Sequence, residues 1–166
     1  LGVKDLSAVS IGIGPGSFTG LRIGFSVAKG LCYPHNINLI GISSLKIIAN
    51  SVIKENKNII SLIKDKGEHY YISKYSSDLI EIMQPKIQLI DSDYMSSILD
   101  KESIIVVNSN ESKEFISQII KEKTKVFSRT ISSIDMISLS DKSFEEKKFE
   151  DIAYIEPMYV KKPYVS

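Results

Sequence analysis

The sequence predicts an α/β protein of two lobes, each built from a sheet and helices, and three observations carry that expectation. Strand-like and helix-like stretches alternate through the first 52 residues. After residue 57 the pattern changes to closely spaced β runs before helices return. A chain of 166 residues with 43% hydrophobic and 25% charged residues can also bury a core of useful size. The lobes are assigned to residues 1–56 and 57–166.

The elements follow in order. Leu6 to Ile13 has the length and branching of a buried strand and runs into the glycine-rich loop Gly14-Pro-Gly-Ser-Phe-Thr-Gly20. Ser17 or Thr19 can cap the next helix by accepting a backbone N–H bond, and that helix runs from Leu21 to about Leu31 before Pro34 stops it. Asn38 to Ile42 reads as a second strand and Ser43 to Ser51 as a helix with Leu45, Ile48 and Val52 on one face. Two parallel strands with a crossover helix leave both sheet edges open. The expectation is therefore a first lobe that is incomplete, with further strands preceding Leu1.

In the second lobe, Ile59 to Ile63 and Tyr70 to Tyr75 flank a turn centred on Gly67, a hairpin signature. Ile80 to Ile90, interrupted by Pro85, reads as an edge strand. Asp91 to Leu99 is a capped helix, Ser103 to Val107 a buried strand, and Ser112 to Ile120 and Ser132 to Leu139 are helices. The charged Asp141 to Glu150 segment reads as a solvated loop or frayed helix.

Composition narrows the chemistry. Twenty-one basic and 20 acidic side chains leave a formal charge of +1, so this chain alone does not neutralise many phosphates, and any RNA contact is expected to run through a partner. The single cysteine, Cys32, cannot form an internal disulfide, which fits a reducing, cytoplasmic address. No apolar run approaches the ~20 residues of a membrane helix. His35 and His69 lie in different lobes without metal-ligand spacing, and Gly-x-Ser-x-Gly is missed at both Ser17 and Ser26. Asp65 and Glu68 flank the hairpin glycine, where carboxylates serve local turns more often than acid–base chemistry. No cofactor is expected.

The informative constellation is the loop and the helix behind it. Gly14, Gly16 and Gly20 before a helix suggest a phosphate cradle, yet no lysine follows as a Walker motif requires, and Ser17 stands where a dinucleotide fingerprint needs glycine. The alternative is a structural loop, Gly14, Pro15, Gly16, Ser17 and Thr19, whose glycines allow positive φ and close packing. On the helix, Arg22, Ser26 and Lys29 form one narrow polar stripe, while Leu21, Ile23, Phe25, Val27, Ala28 and Leu31 occupy most of the rest. Gly20, Gly24 and Ala28 fall at i, i+4 and i+8, a small-residue ridge that lets another helix approach closely. Gly20, Leu21, Gly24, Phe25 and Ala28 are accordingly the candidate partner interface.

Residues 12 to 31, Gly-Ile-Gly-Pro-Gly-Ser-Phe-Thr-Gly-Leu-Arg-Ile-Gly-Phe-Ser-Val-Ala-Lys-Gly-Leu, resemble the signature of the bacterial TsaB family, also called YeaZ. Gly41-Ile-Ser-Ser-Leu45, Gly67-Glu68 with Tyr70, and Pro157-Met-Tyr-Val-Lys161 resemble later family motifs in the same order. The resemblance implies an actin-like ATPase fold, as in sugar kinases and Hsp70, with mixed sheets in two lobes. It also implies a non-catalytic scaffold that binds and activates the catalytic subunit TsaD, with the ATPase TsaE, in making N6-threonylcarbamoyladenosine on tRNA. The ridge-bearing helix then belongs to the surface used for TsaD and for a homodimer when the chain is alone. Against the family pattern, the N-terminal strands with their Asp-Thr-Ser turn are missing, Ile63 replaces an aspartate, and Asn108-Ser-Asn110 replaces a glycine-rich turn. Two other readings attach to the fold and its relatives: an active actin-like ATPase or kinase, and a glycopeptidase-like hydrolase.

Overall fold

The computed structural model describes residues 2–101, 103–120 and 123–160. Strands β1 (Ala8–Gly14) and β2 (Asn38–Ser43) pair in parallel, with Ser10 opposite Ile40. Helix α1 (Phe18–Cys32) connects them and helix α2 (Ser44–Asn50) follows β2 directly. Side chains alternate across a strand, and that alternation sorts the helices onto opposite faces. Val9, Ile11 and Leu39 meet Ala28 and Cys32 of α1, whereas Ala8, Ile40 and Ile42 join Leu45, Ile47 and Ile48 of α2. Among the described residues the edge of β1 opposite β2 pairs with no strand.

The second sheet has five strands in the order β5-β4-β3-β6-β7. Strands β3 (Asn58–Lys64), β4 (His69–Tyr75) and β5 (Glu81–Leu89) form an antiparallel meander, and β6 (Ser103–Val107) and β7 (Val126–Ser128) extend it in parallel from β3. Central β3 is buried on both faces, which explains its apolar run Ile59, Ile60, Leu62 and Ile63, broken only by the small buried Ser61. Ile60 and Leu62 pack with Met95 of α3 (Ser92–Ile98) and Ile116 of α4 (Asn110–Ile119). Ile59 and Ile63 turn the other way, into the cluster that holds α2 and Leu139 of α5 (Ile137–Glu145). Helix α2 is therefore shared, with one continuous core running from the first sheet through it to the second.

Capping places the helices. Asp91 Oδ1 accepts from Tyr94 N at 2.8 Å to start α3, and Ser109 Oγ accepts from Ser112 N at 3.1 Å to start α4. The order of strands and helices expected from the sequence holds, with three differences. Strand β7, three residues long, was absent from the expectation. The helix expected at Ser132 to Leu139 is a 3₁₀ turn at Ser133–Met136 continuing into α5, which carries into the charged segment read as a loop. Buried Leu139 anchors α5, and Phe144 meets Phe149 edge to face at 5.7 Å beyond its end.

The third difference concerns the lobes. Residues after Phe149, assigned with the second lobe, return to the first sheet. Glu150 N donates to Leu39 O at 2.8 Å, Met158 N donates to Ile13 O at 2.7 Å, and Ile152 and Ile155 join the cluster under α1. Pairing over more than a hundred residues leaves no local periodicity to read.

Candidate protein interface

The loop between β1 and α1 is shaped at Gly14, where φ is +102° and a Cβ would lie 3.0 Å from Leu21 Cδ1 and 3.4 Å from the Met158 carbonyl oxygen. Only glycine satisfies both the backbone and the space. Pro15 is buried beside it, whereas Gly16 is exposed and a Cβ there would meet nothing within 4 Å. Ser17 caps α1, its Oγ accepting from Gly20 N at 3.3 Å; Thr19 is an exposed residue of the first turn.

Helix α1 has two sides. Phe25 and Ala28 are each only 5% exposed and Cys32 is fully buried, all within this chain's own core. Leu21 packs on Gly14, and a Cβ on Gly24 would sit 3.5 Å from Ile11 Cδ1. The ridge expected to receive a partner helix thus faces the chain's own β1 and β2 from Gly24 onward. Small residues allow close approach by any neighbour, and here the neighbour is the sheet. Of the five residues named as a partner interface, Gly20 alone lies on the exposed side.

The exposed apolar residues of the outer side, Ile23 and Val27, are not among the five candidate interface residues. Ile23 is 61% exposed and Val27 57%, one turn apart, with exposed Gly20 and Gly30 at the ends of the same stripe. Exposed Phe18 stands at the start of the helix, its ring 4.0 Å below the Arg22 guanidinium and 5.8 Å from the Tyr159 ring. The sequence signal was present in the i, i+4 pair Ile23 and Val27, which the ridge leaves on the other side of the helix.

Between the two sheets lies a cleft of about 710 Å³, bordered by Ser17 and Phe18 on one side and by Ile63, Lys64, Asp65 and Tyr71 on the other. Its charged groups are engaged. Tyr71 OH donates to Asp65 Oδ1 at 3.1 Å, and Lys64 Nζ reaches Glu111 Oε1 at 2.5 Å, a contact that raises the lysine's pKa. His35 and His69 are exposed, at a turn and at the start of β4. Cys32 Sγ lies 3.9 Å from the Asn38 carbonyl oxygen, and burial pushes its thiol pKa up, which suits a packing residue and not a nucleophile. Among the described residues no group of three His, Cys, Asp or Glu side chains converges as a metal site, and no helix is long and apolar enough to cross a membrane.

The two-sheet α/β arrangement is that of a known class. The family model described as TsaD: tRNA N6-adenosine threonylcarbamoyltransferase matches residues 1–163, and the chain belongs to that family, whose fold is the actin-like ATPase fold. Within it the chain groups with TsaB (YeaZ) proteins. It is 33% identical over 78 residues to the tRNA threonylcarbamoyladenosine biosynthesis protein TsaB of Escherichia coli (strain K12), covering 46% of this chain and 34% of that protein. It is 28% identical over 126 residues to TsaB of Bacillus subtilis (strain 168), covering 72% and 55%. The chain thus spans about a third to just over half of the length of these relatives. Among solved structures, YeaZ from Pseudomonas aeruginosa superposes with a TM-score of 0.78 at 17% identity, over 95% of this chain and 76% of that one. An uncharacterized protein with similarity to peptidase YEAZ from the same organism gives 0.80 at 16%, over 97% and 76%. At that identity the structures speak for the fold.

Proposed function

We propose that this chain acts in the biosynthesis of N6-threonylcarbamoyladenosine on tRNA as a non-catalytic cytoplasmic subunit that docks and activates a TsaD-like catalytic subunit, alongside a TsaE-like ATPase. The observation that carries the proposal is the outer face of α1, where Ile23 and Val27 remain more than half exposed on a helix whose inner residues Phe25, Ala28 and Cys32 are buried against the chain's own sheet. Exposed apolar side chains flanked by glycines favour close packing with a second helix. The same face serves a homodimer when the catalytic subunit is absent, and tRNA is reached chiefly through that subunit.

The names of the relatives support the pathway. The interface is supported by the distribution of burial along α1. An active ATPase or kinase is the competing reading, and the engaged state of Lys64 and Asp65 in the cleft weighs against it. Co-purification with the TsaD-like subunit, together with ATP turnover of the isolated chain, tests the two readings. A stable complex and no turnover above buffer is the expected result. Turnover at sugar-kinase rates, or no complex, would overturn the proposal.

A further inference from the structure

Three parallel strands enter the second sheet side by side, and each is preceded by lysine: Lys57 before β3, Lys101 before β6, and Lys123 and Lys125 before β7. Neighbouring strands lie about 4.8 Å apart, so the topology sets these side chains in a row along one end of the sheet. They border a hollow of about 320 Å³, which Thr124 and Ser103 also line. Among the described residues the acids beside them are occupied: Glu55 pairs with Lys125 at 2.9 Å, and Asp100 pairs with Lys74 at 2.7 Å while accepting from Ser103 Oγ at 2.8 Å. Lys57, Lys101 and Lys123 form no ion pair or hydrogen bond among the described residues, which exclude Glu102, Lys121 and Glu122.

We propose that this row contacts the phosphate backbone of RNA. The inference rests on the tRNA reading above and adds to it a direct contact of a few phosphates, independent of base sequence. Ammonium groups on flexible stems meet phosphodiester oxygens as point charges, and a row of lysines, three of them without a partner among the described residues, follows a backbone better than it encloses a single small anion. A near-neutral chain supplies few such contacts, and topology gathers three of them at one sheet end.

Anisotropy of a fluorescent unmodified tRNA transcript, titrated with the full chain over a salt series, tests this. Each neutralised phosphate contributes a slope of roughly −0.7 to −0.9 in log affinity against log salt, so about −2 to −3 is expected. Lys57→Gln/Lys101→Gln/Lys123→Gln should bring the slope to about −1 or shallower and weaken binding at low salt by about tenfold. A control, Lys4→Gln/Lys113→Gln/Lys147→Gln, removes the same charge from exposed positions elsewhere and should leave slope and affinity near those of the unmodified chain. Equal losses in both variants, or an unmodified slope shallower than −1, would overturn the proposal. Displacement of the RNA by equimolar inorganic pyrophosphate would overturn it too, by pointing to a free-phosphate site. Because the assay omits the catalytic subunit, its failure is distinguishable from failure of the co-purification.

Discussion

The two sides of helix α1 carry side chains of similar apolar character and opposite fates. Inward, Phe25, Ala28 and Cys32 are sealed against β1, β2 and the returning residues Ile152 and Ile155. Outward, Ile23 and Val27 stand in solvent within the same four turns. Composition cannot separate these sides; the position of a two-stranded sheet beneath the helix does. An apolar residue on this helix therefore reports stability on the inner side and, under the docking proposed above, association on the outer side, and substitutions can separate the two.

The largest effect is expected on the inner side. Leu39→Ala removes a fully buried side chain from beneath α1 and should cost about 2–5 kcal/mol, read as a lower urea midpoint. Gly24→Leu tests the facing of the ridge directly. A leucine there must push into Ile11, so the variant should lose about 1–3 kcal/mol, whereas Gly24→Ala, whose Cβ fits at ordinary contact distance, should fold normally. If Gly24→Leu keeps full stability and loses only partner binding, the ridge faces outward and the assignment of sides is wrong. Gly41→Ala should be costly by a similar mechanism at the smaller end of that range, since its Cβ would come within 2.8 Å of Ile13 Cγ2 and 2.9 Å of Glu150 Oε1.

The smallest effect lies where the sheets meet. The Tyr75 hydroxyl is buried beside the Ser73 and Ser43 hydroxyls and forms no hydrogen bond of good geometry with either. Burial pushes the Tyr75 phenol pKa up. Tyr75→Phe removes an unsatisfied polar atom and keeps the ring, so stability should stay level or rise by up to ~1 kcal/mol in a thermal melt. A loss larger than that would mean the hydroxyl is bonded in solution.

The sequence was most legible where structure is local. The hairpin of β3 and β4, the buried run of β6 and the caps at Ser17 and Asp91 follow from patterns a few residues long. The actin-like fold was legible through the motif at residues 12–31, which resembles a family signature. What escaped reading depends on distant partners. Strand β7 is three residues long and exists because Lys125 O and Val126 find β6. Residues 150–158 pair with strands more than a hundred positions earlier. Of the ridge of Gly20, Gly24 and Ala28, the last two face the chain's own sheet and Gly20 is exposed, and the spacing itself carries no information about whether a sheet or another protein packs there. Lys161, the last residue of the closing motif, lies outside the described residues.

The central claim is that the outer side of α1 binds another polypeptide. Calorimetric titration of the TsaD-like subunit into Ile23→Asp/Val27→Asp, compared with the unmodified chain, tests it most directly. The account predicts affinity lowered by about tenfold or more while the urea midpoint moves by no more than ~1 kcal/mol equivalent, because both residues are solvent-facing in the isolated chain. Affinity within twofold of the unmodified chain, in a variant that remains folded, would contradict it.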